Sequence, residues 1–348
     1  MLDAGDVLVL QRAAQVALIV PFEWAKPDGD YSRMGMEKPA PGQYLAHHLE
    51  SGAVSGAEGR DFTAGNRWLV GAWLSAFISL RRAGLKVAMP RELAAWHSFP
   101  LLWLPSPLTS TEIDLVHVHS DFWEKAHQFV WQGGTLYASL CADAAIPEMA
   151  GLFGASMVDH DPLDEVMLTF QRDFGDLKKG EVLRYQPAIS NPKHWGVTLE
   201  LAGGEVIATD QKRRPALVAH GCGQGHTLLC AYPLEAMAAV TPAAFEGGED
   251  TWRIYHALAD QAKVQALFRS GHPAVEAGCL VGEGRGITVL TNHSNAAVKT
   301  SLTSAQKITS LAKLLPEGRQ AIDGRDGTWQ VEVGAWDGAN FEWTSPRN

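Results

Sequence analysis

The sequence predicts an α/β fold with a doubly wound, mostly parallel sheet, followed by a small antiparallel β-sandwich. Continuous apolar runs at 16–20 and 101–104 are typical of strands that are buried on both faces. Amphipathic helical patterns alternate with such runs over most of the chain, whereas only short strand-like segments follow residue 273. We therefore predict an α/β domain at 1–268, with a β-rich insertion near 165–210, and a β domain at 269–348.

The first elements are marked by their apolar spacing. Gln15–Val20 reads as the first strand, which Pro21 ends. Apolar residues recur at helical spacing from Arg67 to Ala83, and Gly84 stands where a left-handed cap is expected. Two more short strands are predicted at Leu85–Met89 and Leu101–Pro105.

A helix, a strand and a second helix follow in close succession. The first helix begins at Ser120 or Asp121 and ends at Gly133. Thr135–Leu140 is predicted as a strand, and Pro147–Phe153 as a short helix.

In the second half of the chain the spacing of apolar residues changes from helix-like to strand-like. Strand-like alternation between Val166 and Thr209 predicts the β insertion. Glycines at 221–225 predict a tight hairpin between Ala216–His220 and Thr227–Cys230, because this loop opens no helix and so lacks the geometry of a phosphate loop. A helix is predicted at 251–267. The tail strands are expected at 274–280, 286–291, 298–302, 329–333 and 341–343.

Composition excludes several classes of partner. The formal net charge is −10 and no Lys/Arg block occurs, so neither nucleic acid nor a membrane surface is expected as a partner. The apolar run Val16–Phe22 is far shorter than the roughly 20 residues of a membrane span. Four cysteines without metal-type spacing predict free thiols, no metal and no cofactor, and a cytoplasmic location is expected.

Five segments occur in a recognisable order. They are Ala17–Val20, Leu101–Ser106, Phe129–Leu136, Gly151–Gly154 and Pro215–His226. This order resembles the class I glutamine-amidotransferase-like, flavodoxin-like domain of barrel β-galactosidases, a non-catalytic domain that mediates trimerisation. The tail segments Ile287–His293 and Leu314–Gly318 are similar to the small C-terminal β domain of the same glycoside hydrolases.

The resemblance does not extend to the catalytic part of those enzymes. Their (β/α)8 barrel needs about 250 residues before this region, and the first predicted strand here begins too early to leave room for it. The acid and nucleophile would lie on that barrel, so neither is carried over. The resemblance implies an assembly module of a carbohydrate-processing system, whose partner is a second copy of the chain or a catalytic barrel domain. The chain is then either a separated C-terminal part of a larger hydrolase or a stand-alone protein.

An alternative is a stand-alone hydrolase or amidotransferase-like enzyme. Cys141 follows a predicted strand and precedes a helix, as a nucleophile on an elbow would, with His220 or His226 as its base. The flanking glycines of a strained elbow are missing, so a structural thiol is the competing interpretation. His117 and His119 share one side of an extended segment, but without a third ligand no metal is predicted.

A second candidate site is the loop after the first strand. It combines carboxylates with aromatic rings where open α/β sheets place their ligands. We expect a carbohydrate to contact this loop, although an exposed loop without a ligand is the competing interpretation. The residues concerned are Glu23, Trp24, Asp28, Asp30 and Tyr31.

Overall fold

The structure is a computed structural model. It describes residues 14–20, 62–92, 94–105, 118, 120–140, 146–160, 165–186, 196–241, 244–245, 250–264 and 266–346. The chain divides into two compact units. The sheet unit comprises 16–79 and 88–262, and the sandwich unit comprises 1–15, 80–87 and 263–348.

Residues up to 262 form eleven strands and five α-helices within the described ranges. The strands are β1 (Val16–Leu18), β2 (Val87–Ala88), β3 (Leu101–Leu104), β4 (Thr135–Ser139), β5 (Ala155–His160), β6 (Val166–Phe170), β7 (Val182–Tyr185), β8 (Val197–Leu201), β9 (Glu205–Thr209), β10 (Pro215–Cys222) and β11 (Gly225–Cys230). The helices are α1 (Phe62–Arg82), α2 (Ser120–Trp131), α3 (Met149–Phe153), α4 (Leu234–Val240) and α5 (Thr251–Gln261). None of these helices combines the length and the hydropathy that crossing a membrane requires.

One large mixed sheet contains most of these strands. Its order is β2-β1-β3-β4-β11-β10-β9-β6-β7. The pairs β1–β3, β3–β4 and β4–β11 are parallel. The pairs β11–β10, β10–β9, β9–β6 and β6–β7 are antiparallel. Strands β5 and β8 form a separate antiparallel ribbon.

The predicted fold class is therefore wrong. A doubly wound, mostly parallel sheet of the flavodoxin-like, glutamine-amidotransferase-like type would keep the β-rich segment outside the main sheet. Instead β6, β7 and β9 extend the sheet beyond β10, with Thr169 beside Thr209 and Val218 beside Val206. Short connections between consecutive strands allow antiparallel pairing without a crossover helix, and this pairing makes the fold mainly β.

Several individual elements are confirmed. The first strand, the helix ending at Arg82, the helix from Ser120 and the strand from Thr135 lie where the pattern predicts them. The hairpin of β10 and β11 turns at Gly223, whose φ of 61° is left-handed. The helix predicted at 251–267 ends at Gln261.

The sandwich unit consists of two antiparallel sheets around one apolar core. Its strands are β12 (Phe268–Ser270), β13 (Val275–Gly282), β14 (Arg285–Asn292), β15 (Val298–Ser304), β16 (Ser310–Leu315), β17 (Gly318–Ala321), β18 (Gly324–Arg325), β19 (Thr328–Val333) and β20 (Gly338–Thr344). The sheet orders are β12-β15-β19-β18 and β13-β14-β20-β16-β17. Phe268 lies between Trp329 and Trp343, with ring centroids 6.0 and 5.8 Å away, so aromatic side chains of both sheets close the core.

Candidate functional site

The parallel strands bring several polar groups to their carboxyl ends. Ser139 is the last residue of β4 and Cys230 is the last residue of β11, which are paired with each other. Four residues after β11, helix α4 begins, and its first turn contains Glu235. Open sheets with parallel strands usually bind ligands at the carboxyl ends of those strands, so the groups at this end of the sheet are candidates for a functional site.

Glu235 is a buried carboxyl group that receives two hydroxyl donors. Only 1% of the residue is exposed. The Ser139 hydroxyl donates to Oε2 at 2.6 Å, and the Tyr255 hydroxyl of α5 donates to Oε1. Because a buried polar group is costly unless it is hydrogen-bonded, these two donors make the burial of the carboxyl group tolerable.

Three aromatic rings pack against one another beside this carboxyl group, to which the Tyr255 hydroxyl donates. Trp103 stacks on Tyr137 at 4.4 Å, and Tyr255 lies 4.3 Å from Trp103 and 5.4 Å from Tyr137. All three residues are fully buried. The indole N–H of Trp103 has no hydrogen-bond partner among the described residues.

The surroundings favour uncharged forms of the titratable groups. Burial raises the pKa of Glu235 above its ordinary value, against the lowering effect of the Ser139 and Tyr255 hydroxyls. Burial and the nearby Glu235 raise the pKa of Tyr137, and burial raises that of the Cys230 thiol. Burial thus disfavours the charged forms of all three groups, and Glu235, at 1% exposure, is covered by the fold.

Most of the predicted site residues cannot be placed. Cys141, the histidines at 117 and 119, and the loop residues Glu23, Trp24, Asp28, Asp30 and Tyr31 lie outside the described residues. They stay predictions.

The two predicted bases, His220 and His226, lie near the amino-terminal end of β4, whereas Ser139 lies at its carboxyl-terminal end. His226 pairs with Thr135, the first residue of β4, whereas Ser139 is its last. His220 pairs with Thr227, one step further along β11. At about 3.3 Å per residue, four residues of strand β4 separate the two ends by roughly 13 Å.

Two surface cavities lie along helix α2. One of about 600 Å³ is bordered by Asp121, Glu124, His127 and Glu148. The other, of about 690 Å³, lies between α2 and the segment 94–100. Within the ranges that the structure describes, no group of three or more His, Cys, Asp or Glu side chains could hold a metal ion.

Sequence reasoning did not find the Glu235 cluster or the cavity of 690 Å³. Glu235 left one signal, a single acidic residue in the otherwise apolar segment 228–240. A charged residue in such a segment indicates a buried group with dedicated partners. The cavity left no local signal, because its two walls are distant in the sequence.

The comparisons with known proteins rest on structure alone. No family model matches the sequence, and no curated protein matches it. Among solved structures, a catalytic mutant of the GH42 β-galactosidase Gan42B from G. stearothermophilus is 11% identical with a TM-score of 0.56, and the match covers 96% of this chain and 41% of that enzyme.

Two further structures give the same result. The β-galactosidase from Bacillus circulans sp. alkalophilus is 13% identical with a TM-score of 0.56, over 95% of this chain and 41% of that enzyme. The α-L-fucosidase isoenzyme 2 from Paenibacillus thiaminolyticus is 13% identical with a TM-score of 0.58, over 96% and 49%. The chain thus shares the fold of one part of these glycoside hydrolases and spans less than half of their length.

Proposed function

We propose that this chain is a non-catalytic assembly module of a glycoside hydrolase system of the β-galactosidase type. One observation carries the proposal: at least 95% of the chain matches a part of these solved glycosidases that amounts to 41 to 49% of their length. In this proposal the chain holds copies of itself together, or it holds a catalytic barrel domain.

Exposed tryptophans give this role a physical basis. Trp131, at the end of α2, is 59% exposed, and Trp336, between β19 and β20, is 71% exposed. Tryptophan is enriched among the residues that dominate binding at protein interfaces, because its large apolar surface gains most from leaving water. Each tryptophan is an anchor for a partner surface.

The loop that presents Trp336 is held firmly. The buried amide of Asn292 donates to the carbonyl oxygens of Ala296 and Gly334 at 2.8 Å each. The backbone N–H of Trp336 donates to Ser294 at 3.0 Å. A preorganised loop loses little conformational entropy on association, so it suits an interface anchor.

The oligomeric state of the full chain tests the proposal. Light scattering coupled to size-exclusion chromatography at micromolar concentration is expected to give a mass of at least two chains. Replacing Trp336 or Trp131 with Ala should shift the distribution towards smaller species, because an anchor of the interface is lost. Trp336→Phe is the matched control, since it keeps an aromatic ring and should restore much of the assembly.

Two results would contradict the assembly of copies of this chain through these tryptophans. One is a strictly monomeric protein throughout the micromolar range. The other is an oligomer whose mass distribution is the same in the wild type and in the Trp131→Ala, Trp336→Ala double variant.

A further inference from the structure

We propose that one end of the sandwich unit contacts the same end of a second copy of this chain across a two-fold axis. The surface concerned, the Trp336 platform, consists of residues 294–297, between β14 and β15, and residues 334–336, between β19 and β20. This inference rests on the assembly role proposed above and names the contact through which two copies meet.

The two loops of the Trp336 platform form one surface. The side-chain amide of Asn292 donates to the carbonyl oxygens of Ala296 and Gly334 at 2.8 Å each, so one group bridges both loops. The backbone N–H of Trp336 donates to the Ser294 carbonyl oxygen at 3.0 Å. The loops therefore lie side by side, and a partner would meet both of them at once.

The indole ring of Trp336 is the projection on this surface. At 71% exposure it is the most exposed large apolar side chain among the described residues. Its φ of 51° is left-handed, a conformation that Gly or Asn adopts readily and that a bulky residue resists. Because so little of the ring is covered by its own chain, a tryptophan here contributes little to the fold of a single chain and much to a contact with another.

The rest of the Trp336 platform consists of small side chains. Ala296, Ala297 and Ala335 are exposed, and each presents a single methyl group. A flat shelf of this kind lets a large ring of another molecule approach closely. A two-fold contact between identical chains requires a surface that is complementary to itself. The Trp336 platform has both the projection and the shelf, so a second copy supplies the matching shelf and projection.

The charge distribution also favours a second copy. The chain has 39 acidic and 29 basic residues, so two copies repel each other over most of their surfaces. Residues 294–297 and 334–336 contain no ionisable side chain. The ionisable residues within two positions of these ranges carry groups of both signs. They are Lys299 and Glu332, whose side chains lie 3.6 Å apart, His293, which lies 3.4 Å from Glu276, and Asp337. Two copies can therefore meet here without the net repulsion that the rest of the chain imposes.

Light scattering during serial dilution of the full chain measures the dissociation constant of the pair. Trp336→Asn is expected to raise this constant about tenfold or more, because the projecting ring is lost. Asparagine accepts a left-handed backbone, so the loop should remain folded, which circular dichroism checks. Val158→Asn is the matched control, since Val158 is a 55% exposed apolar residue of β5 in the sheet unit, and it should leave the dissociation constant unchanged.

Cross-linking tests the two-fold arrangement itself. In a Cys141→Ala background, Ala335→Cys places an exposed thiol next to Trp336, and a short bismaleimide should join two chains through this position. Adding Trp336→Asn should abolish the cross-linked pair. Ala305→Cys is the matched control, because Ala305 is also exposed but follows the last residue of β15, whereas the Trp336 platform precedes its first, and it should give no cross-linked pair.

The outcomes separate this inference from the assembly proposal. The inference is overturned if the chain associates but Trp336→Asn leaves the dissociation constant unchanged, or if Ala305→Cys cross-links as fast as Ala335→Cys. Either result would leave assembly through another surface standing. A chain that is monomeric throughout the micromolar range would instead remove both the inference and the assembly of copies.

Discussion

Ser139 and Glu235 are 96 positions apart in the sequence, yet the serine hydroxyl donates to the glutamate carboxyl group at 2.6 Å inside the sheet unit. This bond ties the end of β4 to the first turn of α4. The Tyr255 hydroxyl adds α5 to the same carboxyl group. Three separate elements, β4, α4 and α5, are therefore joined through hydrogen bonds to one titratable side chain.

The Glu235→Gln variant is expected to flatten the dependence of stability on pH. Burial raises the pKa of Glu235 in the folded state, so between the unfolded pKa of about 4.3 and the raised folded pKa the folded protein binds more protons at this residue than the unfolded chain does. This residue therefore makes the free energy of unfolding fall as the pH rises, by at most about 1.4 kcal/mol per pH unit. Glutamine does not titrate, so at this position it adds nothing to the dependence of the free energy of unfolding on pH.

Urea unfolding at several pH values from about 5 to 8 measures the difference between the two proteins. The comparison is needed because other carboxyl groups act in the opposite direction. Hydrogen bonding to Arg253, for example, lowers the pKa of Glu181. Glu332→Gln is the control, since its side chain is 57% exposed, and its profile should follow the wild type. Equal slopes in wild type and Glu235→Gln would show that folding does not raise the pKa of this carboxyl group.

Ser139→Ala is expected to lower the free energy of unfolding by about 1 to 3 kcal/mol, because it removes a donor from a buried carboxyl group. The pKa of Glu235 should then rise further. Ser98→Ala removes an exposed hydroxyl that donates to Ala95 at 3.3 Å and should change the stability by less than about 0.5 kcal/mol. If urea unfolding shows an equally small decrease in the free energy of unfolding for both variants, the Ser139 hydrogen bond contributes nothing to the stability of the fold.

The strands that the sequence predicted best are those buried on both faces. In β1, β3 and β4 every residue is buried, so the apolar run and the strand coincide. Strands β6 and β9 also show alternation of apolar and polar residues, but this alternation does not reveal which strand each one pairs with. Their pairing at the edge of the main sheet decides the fold class, and it joins segments that are distant in sequence.

Helix α4, which contains Glu235, could not be predicted from the sequence for a different reason. Residues 234–238 of α4 are all buried, so the segment has no polar face and no helical period. Its partners Ser139 and Tyr255 lie on a strand and a helix whose own patterns give no sign of the contact. Only the acidic residue in an apolar segment could have been noticed, and it does not identify the donors.

The described cysteines are expected to resist labelling in the native protein. Cys222, Cys230 and Cys279 are buried free thiols, and burial raises the pKa of each. Thiols of this kind react slowly because the thiolate is the reactive species. In the Cys141→Ala variant, a chromogenic disulfide reagent near neutral pH should therefore react with less than one thiol per chain, whereas all three should react after unfolding in urea.

The same measurement tests the alternative enzyme hypothesis. If the wild type contains one thiol that reacts much faster than a free cysteine, and Cys141→Ala abolishes this phase, Cys141 is an activated nucleophile. Ordinary reactivity at that position would remove the hypothesis. Rapid native labelling of the Cys141→Ala variant would instead contradict the burial of the other three thiols.

Gly154→Ala is expected to destabilise the sheet unit by about 2 kcal/mol or more. The residue has a φ of 64°, and a left-handed backbone costs other residues about 1 to 2 kcal/mol. An added methyl group would also lie 2.5 Å from the backbone nitrogen of Gly204, which itself donates to the Gly154 carbonyl oxygen at 2.8 Å. The methyl group would therefore push β8 and β9 away from the end of α3.

Gly151→Ala is the matched control for this substitution. Gly151 lies inside α3, three residues earlier, and an added methyl group there has no heavy atom within 4 Å. Alanine should stabilise this helical position by about 0.5 to 1 kcal/mol, because glycine loses more backbone entropy on folding. Thermal unfolding followed by circular dichroism should thus move the two midpoints in opposite directions. A Gly154→Ala midpoint equal to that of the wild type would mean that the α3 terminus relaxes without cost and that the close approach to Gly204 does not hold the turn.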